Sequence, residues 1–109
     1  MPTRPDTLQG SLPLLVLTIL ERRGPLHGYA ITSHLHTLSD ALRVEEGSLY
    51  PALHRMEEAG WIKARAIMTE HNRRARAYEI TAAGRRQLDF EAGRWRSITA
   101  AVNYVLRHA

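Results

Sequence analysis

The run Glu45-Glu46-Gly47-Ser48-Leu49-Tyr50-Pro51-Ala52-Leu53-His54-Arg55-Met56-Glu57-Glu58-Ala59-Gly60-Trp61-Ile62 constrains this chain more than any other stretch. Ser48 is a good N-cap, Pro51 is tolerated in a first helical turn, and Gly60 is a natural stop, so the run predicts a helix of about three turns. At about 100° per residue, Leu49, Ala52, Leu53 and Met56 share a core face, whereas Tyr50, Pro51, His54 and Glu58 face outward with Arg55 at the edge. The outward face brings a phenol, an imidazole and a guanidinium near a helix N-terminus. Such groups reach base edges and phosphates when a helix lies in a major groove. A recognition helix competes here with an ordinary surface helix, and the flanking segments decide between them.

Upstream, residues 1–9 read as a flexible arm, because two prolines and small polar residues offer nothing to pack. Ser11 can cap a first helix with Pro13 in its first turn. Leu12, Leu14, Leu15, Val16, Leu17, Ile19 and Leu20 then surround nearly the whole cylinder before Glu21-Arg22-Arg23-Gly24 closes it. A helix apolar all round needs cover on all sides, which predicts a second protein surface over Leu12, Leu15, Val16 and Ile19. Gly24-Pro25-Leu26-His27-Gly28 reads as a turn. A second helix follows from about Gly28 to Leu38, packing through Tyr29, Ile31, Leu35 and Leu38. The short link Ala41-Leu42-Arg43-Val44 then leads to the recognition helix, the connection a helix-turn-helix requires.

After Gly60 the period becomes that of a strand. In Trp61–Met68, Ile62, Ala64, Ala66 and Met68 fall on one face and Lys63 and Arg65 on the other. Glu70-His71-Asn72-Arg73-Arg74 is a polar loop, and Arg76-Ala77-Tyr78-Glu79-Ile80 resumes the alternation. The two runs predict a hairpin with a basic tip, a wing. Taken alone, Arg73-Arg74-x-Arg76 is an ordinary solvated charge run. Beside a recognition helix it has a partner in the phosphate backbone or the minor groove. Thr81 caps a last helix from about Ala82 to Arg107. There Leu88, Trp95, Ile98, Val102 and Val105, with Leu106 beside them, recur at sevens, threes and fours, close to a heptad dimer seam. The domains so read are the arm (1–9), a winged helix-turn-helix (10–81) and a C-terminal dimerisation helix (82–109). The fold class is mainly α with a small β-hairpin.

Charge agrees with this reading. The formal net charge is +4, and all but one of the 15 basic residues are arginine, the side chain suited to bidentate phosphate recognition. Cysteine is absent, which removes thiol nucleophiles, disulfides and thiolate metal sites. The six histidines include no His-x-x-x-His pair, and no Gly-rich phosphate loop accompanies them, so neither an enzyme nor a metal or other cofactor is expected. No apolar run approaches the length of a membrane span and the N-terminus lacks a signal-peptide core, which makes the cytoplasm the expected location. The competing class is a winged helix that docks on another protein without binding DNA specifically.

Leu8-Gln9-Gly10-Ser11-Leu12, Gly24-Pro25-Leu26-His27-Gly28-Tyr29, Gly47-Ser48-Leu49-Tyr50-Pro51-x-Leu53-His54-Arg55, Asn72-Arg73-Arg74 and Tyr78-Glu79-Ile80-Thr81-x-x-Gly84 together resemble the PadR family of bacterial transcriptional regulators. The resemblance covers about residues 8–107 and points to the short type, with one C-terminal helix. It implies a winged helix-turn-helix repressor acting as a homodimer on an inverted-repeat operator in double-stranded DNA. By the same resemblance Ser48, Tyr50, Pro51 and His54 lie at the groove, with Arg73, Arg74 and Arg76 on the wing, and Arg55, Lys63 and Arg65 are the further basic residues expected on the DNA. Ala77 and Glu79 depart from the pattern, where many members carry a second aromatic and a basic or polar residue. Trp95, at mid-seam, either fills the dimer core as an anchor or borders a cavity for a planar aromatic effector that releases the DNA, the second being what likeness to multidrug-sensing members implies.

Overall fold

The structure, a computed structural model, describes residues 10–109, and the arm expected over residues 1–9 lies outside them. Helix α1 (Leu12–Arg23) begins after Ser11, whose carbonyl oxygen accepts from the Leu15 amide at 3.0 Å, and ends at Gly24 with φ 83°, where glycine escapes the Cβ penalty. Then follow β1 (Leu26–His27), α2 (Gly28–Leu38), a single 3-10 turn (Asp40–Leu42), α3 (Glu46–Glu58), β2 (Ile62–Met68), β3 (Arg74–Ile80) and α4 (Ala82–His108). The strands form one antiparallel sheet in the order β1-β3-β2. β1 replaces the expected turn. It is only two residues long, too short for alternation to reveal, yet it pairs Leu26 with Tyr78 and His27 with Ala77.

Helix α1 is the centre of the core. It touches α2, α3, β3 and α4, and Val16, Leu17 and Leu20 meet Ile31, Leu35, Leu49, Leu53, Met56, Ile62 and Ile80. This corrects the expectation that Leu12, Val16 and Ile19 await a second protein. All three are at most 5 % exposed in the single chain, because its own elements enclose the helix. Leu15 is half-buried against the same core. In α2, Gly28, Ile31 and Leu35 are buried, but Tyr29 and Leu38 are 65 % and 63 % exposed. Tyr29 lies about 100° round the helix from Gly28, and Leu38 sits in the last turn, at the end away from the buried residues.

Helix α3 starts earlier than its residues suggest. The amides of Ser48 and Leu49 both donate to the Glu45 carbonyl at 3.0 Å, so the first turn closes on Glu45 as N-cap. Ser48 therefore lies inside the first turn rather than at the cap, and Pro51 is an interior residue. An interior proline costs roughly 3 kcal/mol and a glycine such as Gly47 about 1 kcal/mol relative to alanine. The expected faces hold. Leu49, Ala52, Leu53 and Met56 are buried, whereas Tyr50, Pro51, His54, Arg55 and Glu58 are exposed.

The wing runs in register from Ile62 opposite Ile80 to Met68 opposite Arg74. Its loop is closed by the Thr69 amide donating to the Arg73 carbonyl at 2.8 Å and the Asn72 amide to the Thr69 carbonyl at 2.9 Å. Asn72 takes φ 61°, which asparagine tolerates better than most residues. Alternation buries Ile62 and partly buries Ala64 at the root. Ala66 and Met68, expected on the apolar face, are exposed because the outer half of the hairpin projects past the core.

Thr81 joins the wing to α4. Its hydroxyl accepts from the Gly84 amide at 3.0 Å and donates to the Gly60 carbonyl at 2.6 Å, while its own amide donates to the Trp61 carbonyl at 3.0 Å. Gly84 is buried, and a Cβ there would run into the Trp61 carbonyl and come within 2.8 Å of Ile80 Cγ1. Leu88 packs on the core and Arg85 pairs with Glu21 of α1 at 2.9 Å. From Arg94 onward every residue is exposed. The radius of gyration is 15.3 Å against about 13 Å for a compact chain of this length, as a helix about 40 Å long that leaves its own domain requires.

Candidate nucleic-acid interface

Between α2, the start of α3 and the wing lies an open groove of about 1500 Å³. Tyr50 forms part of its floor, and its position depends on Gly28. A Cβ at Gly28 would come within 2.7 Å of the Tyr50 hydroxyl and 2.8 Å of its ring, so only glycine lets the phenol lie against the start of α2. His27 shapes the same corner, its Nδ1 accepting from the Ala30 amide at 3.3 Å as the N-cap of α2. Tyr78 also borders the groove. Burial pushes its hydroxyl above the usual tyrosine range, with the Arg76 charge pulling the other way. Arg73, Arg74 and Arg76 form the opposite, basic wall.

The arginines of that wall differ. Arg73 and Arg74 are exposed at the loop and the first residue of β3. Arg76 instead donates to Glu57 Oε2 of α3 at 3.0 Å. An exposed pair of this kind contributes only about 0–1 kcal/mol, and it links the guanidinium expected on a phosphate to α3. Lys63 and Arg65 are not brought into the groove. Strand alternation sets them on the sheet face opposite Arg74 and Arg76, and Lys63 lies 3.9 Å from Glu79, its cross-strand partner. Glu79, the departure noted in the sequence, thus offsets the nearest lysine. Ala77 is buried where β3 passes β1, paired with His27.

On α3, Ser48 is half-buried, Pro51 and Arg55 are exposed, and His54 lies 3.6 Å from Glu58 one turn on. The residues that sequence reasoning missed belong to α2. Tyr29, Ser33 and Thr37, with His34 beside them, line the groove wall facing the wing. Their spacing of four was a legible signal, a polar row opposite Ile31 and Leu35. The groove therefore combines guanidinium donors, hydroxyls and a helix with open polar residues, suited to one phosphate strand and one edge of a base stack. Among the described residues no group of three or more His, Asp or Glu could hold a metal ion, and no helix is long and apolar enough to cross a membrane.

Of the residues expected in the C-terminal seam, Leu88 packs on the core of its own chain and the others lie exposed. Trp95, Ile98, Val102 and Val105 are 44–58 % exposed, and Leu106 is more so. Trp95 and Ile98 also border a small groove of about 180 Å³ shared with Leu14 and Ser11.

The model of the PadR-like family of transcriptional regulators matches residues 16–89 of this chain. Among curated proteins none matches. Among solved structures, a PadR-like transcriptional regulator from Bacillus cereus strain ATCC 14579 superposes with a TM-score of 0.82 at 27 % identity, over 96 % of this chain and 100 % of that one. A PadR family regulator from Clostridium difficile R20291 gives 0.77 at 28 %, over 89 % and 99 %. A transcriptional regulator from Clostridium thermocellum gives 0.82 at 26 %, over 94 % and 97 %.

Proposed function

Because this chain belongs to the PadR-like family of transcriptional regulators, we propose that it is a sequence-specific repressor that binds an inverted-repeat operator as a homodimer and leaves it when a small molecule binds. The observation that carries the reading is the groove itself. Tyr50 of α3 and Arg73 and Arg74 of the wing line it together, and Pro51 and His54 are exposed on the same outer face of α3 as Tyr50, while the opposite face of α3 is sealed in the core. Such a regulator works where the chromosome is, in the cytoplasm. The domain division follows: residues 10–81 read DNA and α4 holds two copies together.

Salt dependence tests the wing. Replacing Arg73 and Arg74 together by alanine is expected to weaken binding to all duplexes alike and to lower the slope of log K against log salt by about 0.9 per lost phosphate contact. Arg76→Ala should leave the slope unchanged, since Glu57 already holds that guanidinium. An unchanged slope in the double variant assigns the wing to solvent and supports docking on a protein instead.

In this reading the effector binds at Trp95, whose groove with Leu14 and Ile98 supports it. In a two-fold dimer the mid-seam indoles approach each other, and a planar aromatic compound between them would change the spacing of the recognition helices, releasing DNA if it binds that form more tightly. In a Trp61→Phe background, planar dyes are expected to quench the remaining tryptophan fluorescence. Absence of quenching with the dimer intact leaves Trp95 as packing.

A further inference from the structure

Two residues on the outer face of α3 oppose the helix that contains them, and the core requires neither. Pro51 is interior to the helix and exposed. Gly47, four residues earlier, is also exposed. A Cβ there would meet nothing within 4 Å, and the backbone is not in the left-handed region that favours glycine. Neither space nor conformation explains the glycine, and no packing explains the proline. Residues that break a local rule without a gain in folding are expected where function uses them.

What the pair produces is an open acceptor. Proline has no N–H, so the Gly47 carbonyl lacks the donor from four residues on that other helical carbonyls receive. Gly47 sets no Cβ beside that oxygen, and nothing lies within 4 Å of where one would be. It lies on the row from Gly47 to Pro51, which continues towards His54 on the face opposite the buried Leu49 and Leu53. We infer that the Gly47 carbonyl oxygen is a base-reading group that accepts a hydrogen bond from an exocyclic amino group in the major groove, cytosine N4 or adenine N6. An acceptor cannot pair with guanine O6 and N7 or with thymine O4, so at one position of each half-site it selects cytosine or adenine. The inference rests on the DNA-binding reading above.

The test compares the full-length protein with Pro51→Ala and Gly47→Ala on a randomised duplex pool, sequenced after enrichment, with thermal melting of each protein alongside. Alanine at 51 restores the missing N–H and occupies the carbonyl, and alanine at 47 sets a methyl group beside it. Both variants are expected to melt higher than wild type. Both should lose about tenfold of the preference at one position while keeping the others. Unchanged preference at every position in both variants overturns the inference, as does an equal loss at all positions, which would mean that the pair only sets the placement of the helix. If the wild-type protein enriches no sequence at all, the DNA-binding reading fails and the inference with it.

Discussion

Val102→Glu is expected to convert the proposed dimer to a monomer at micromolar concentration and to weaken operator binding ~1000-fold, the size of the gain that comes from linking two binding modules. Val102 lies in the middle of the exposed stripe formed by Trp95, Ile98 and Val105. Covering the remaining half of these side chains in both copies represents on the order of 10 kcal/mol gross. In a two-fold arrangement a mid-seam carboxylate would be desolvated close to its own copy, so the variant combines loss of apolar burial with like-charge repulsion. The protomer itself should fold, because Val102 is half exposed in the single chain and no residue from Arg94 onward is buried. Sedimentation reads the mass and a titration with operator duplex reads the affinity. A variant that remains a dimer places the interface elsewhere than on α4.

Gly84→Val should act in the opposite way, through the fold and not the assembly. The new side chain would strike the Trp61 carbonyl and Ile80 at the junction of wing and α4, where Thr81 already ties Gly60, Trp61 and Gly84 together. Backbone cannot move aside as a flexible side chain can, so overpacking should cost about 3 kcal/mol and lower the melting temperature by about 15 °C. Gly93→Ala is the matched control. Nothing lies within 4 Å of a Cβ there, so the same helix should gain up to about 1 kcal/mol. A Gly84→Val protein that melts with wild type would contradict the close approach.

Local patterns were legible in the sequence, and properties set by neighbours were not. The two faces of α3 followed from period alone, because Leu49, Ala52, Leu53 and Met56 needed only a core to face. Helix α1 was misjudged for the same reason that its composition was conspicuous. A helix apolar all round is also what the centre of a small domain looks like when α2, α3, β3 and α4 close round it. Ser48 looked like a cap since its side chain suits one, but the bonds of its own amide and that of Leu49 to Glu45 set the start of the helix. The wing's basic residues were visible as charges. Strand alternation turns Lys63 and Arg65 away from the groove, and Arg76 lines it while paired with a carboxylate from another element.

The central claim is that the α3 and wing face reads DNA sequence. It is tested most directly by fluorescence anisotropy of the wild-type protein on the duplex it enriches from a random pool and on a scrambled duplex of equal composition, over a range of salt. The enriched duplex is expected to be an inverted repeat with half-sites about one helical turn apart, bound ~1000-fold or more tightly than the scrambled one. Both affinities should fall linearly in log K against log salt. Equal affinity for the two duplexes at every salt concentration, or binding to neither, would contradict it.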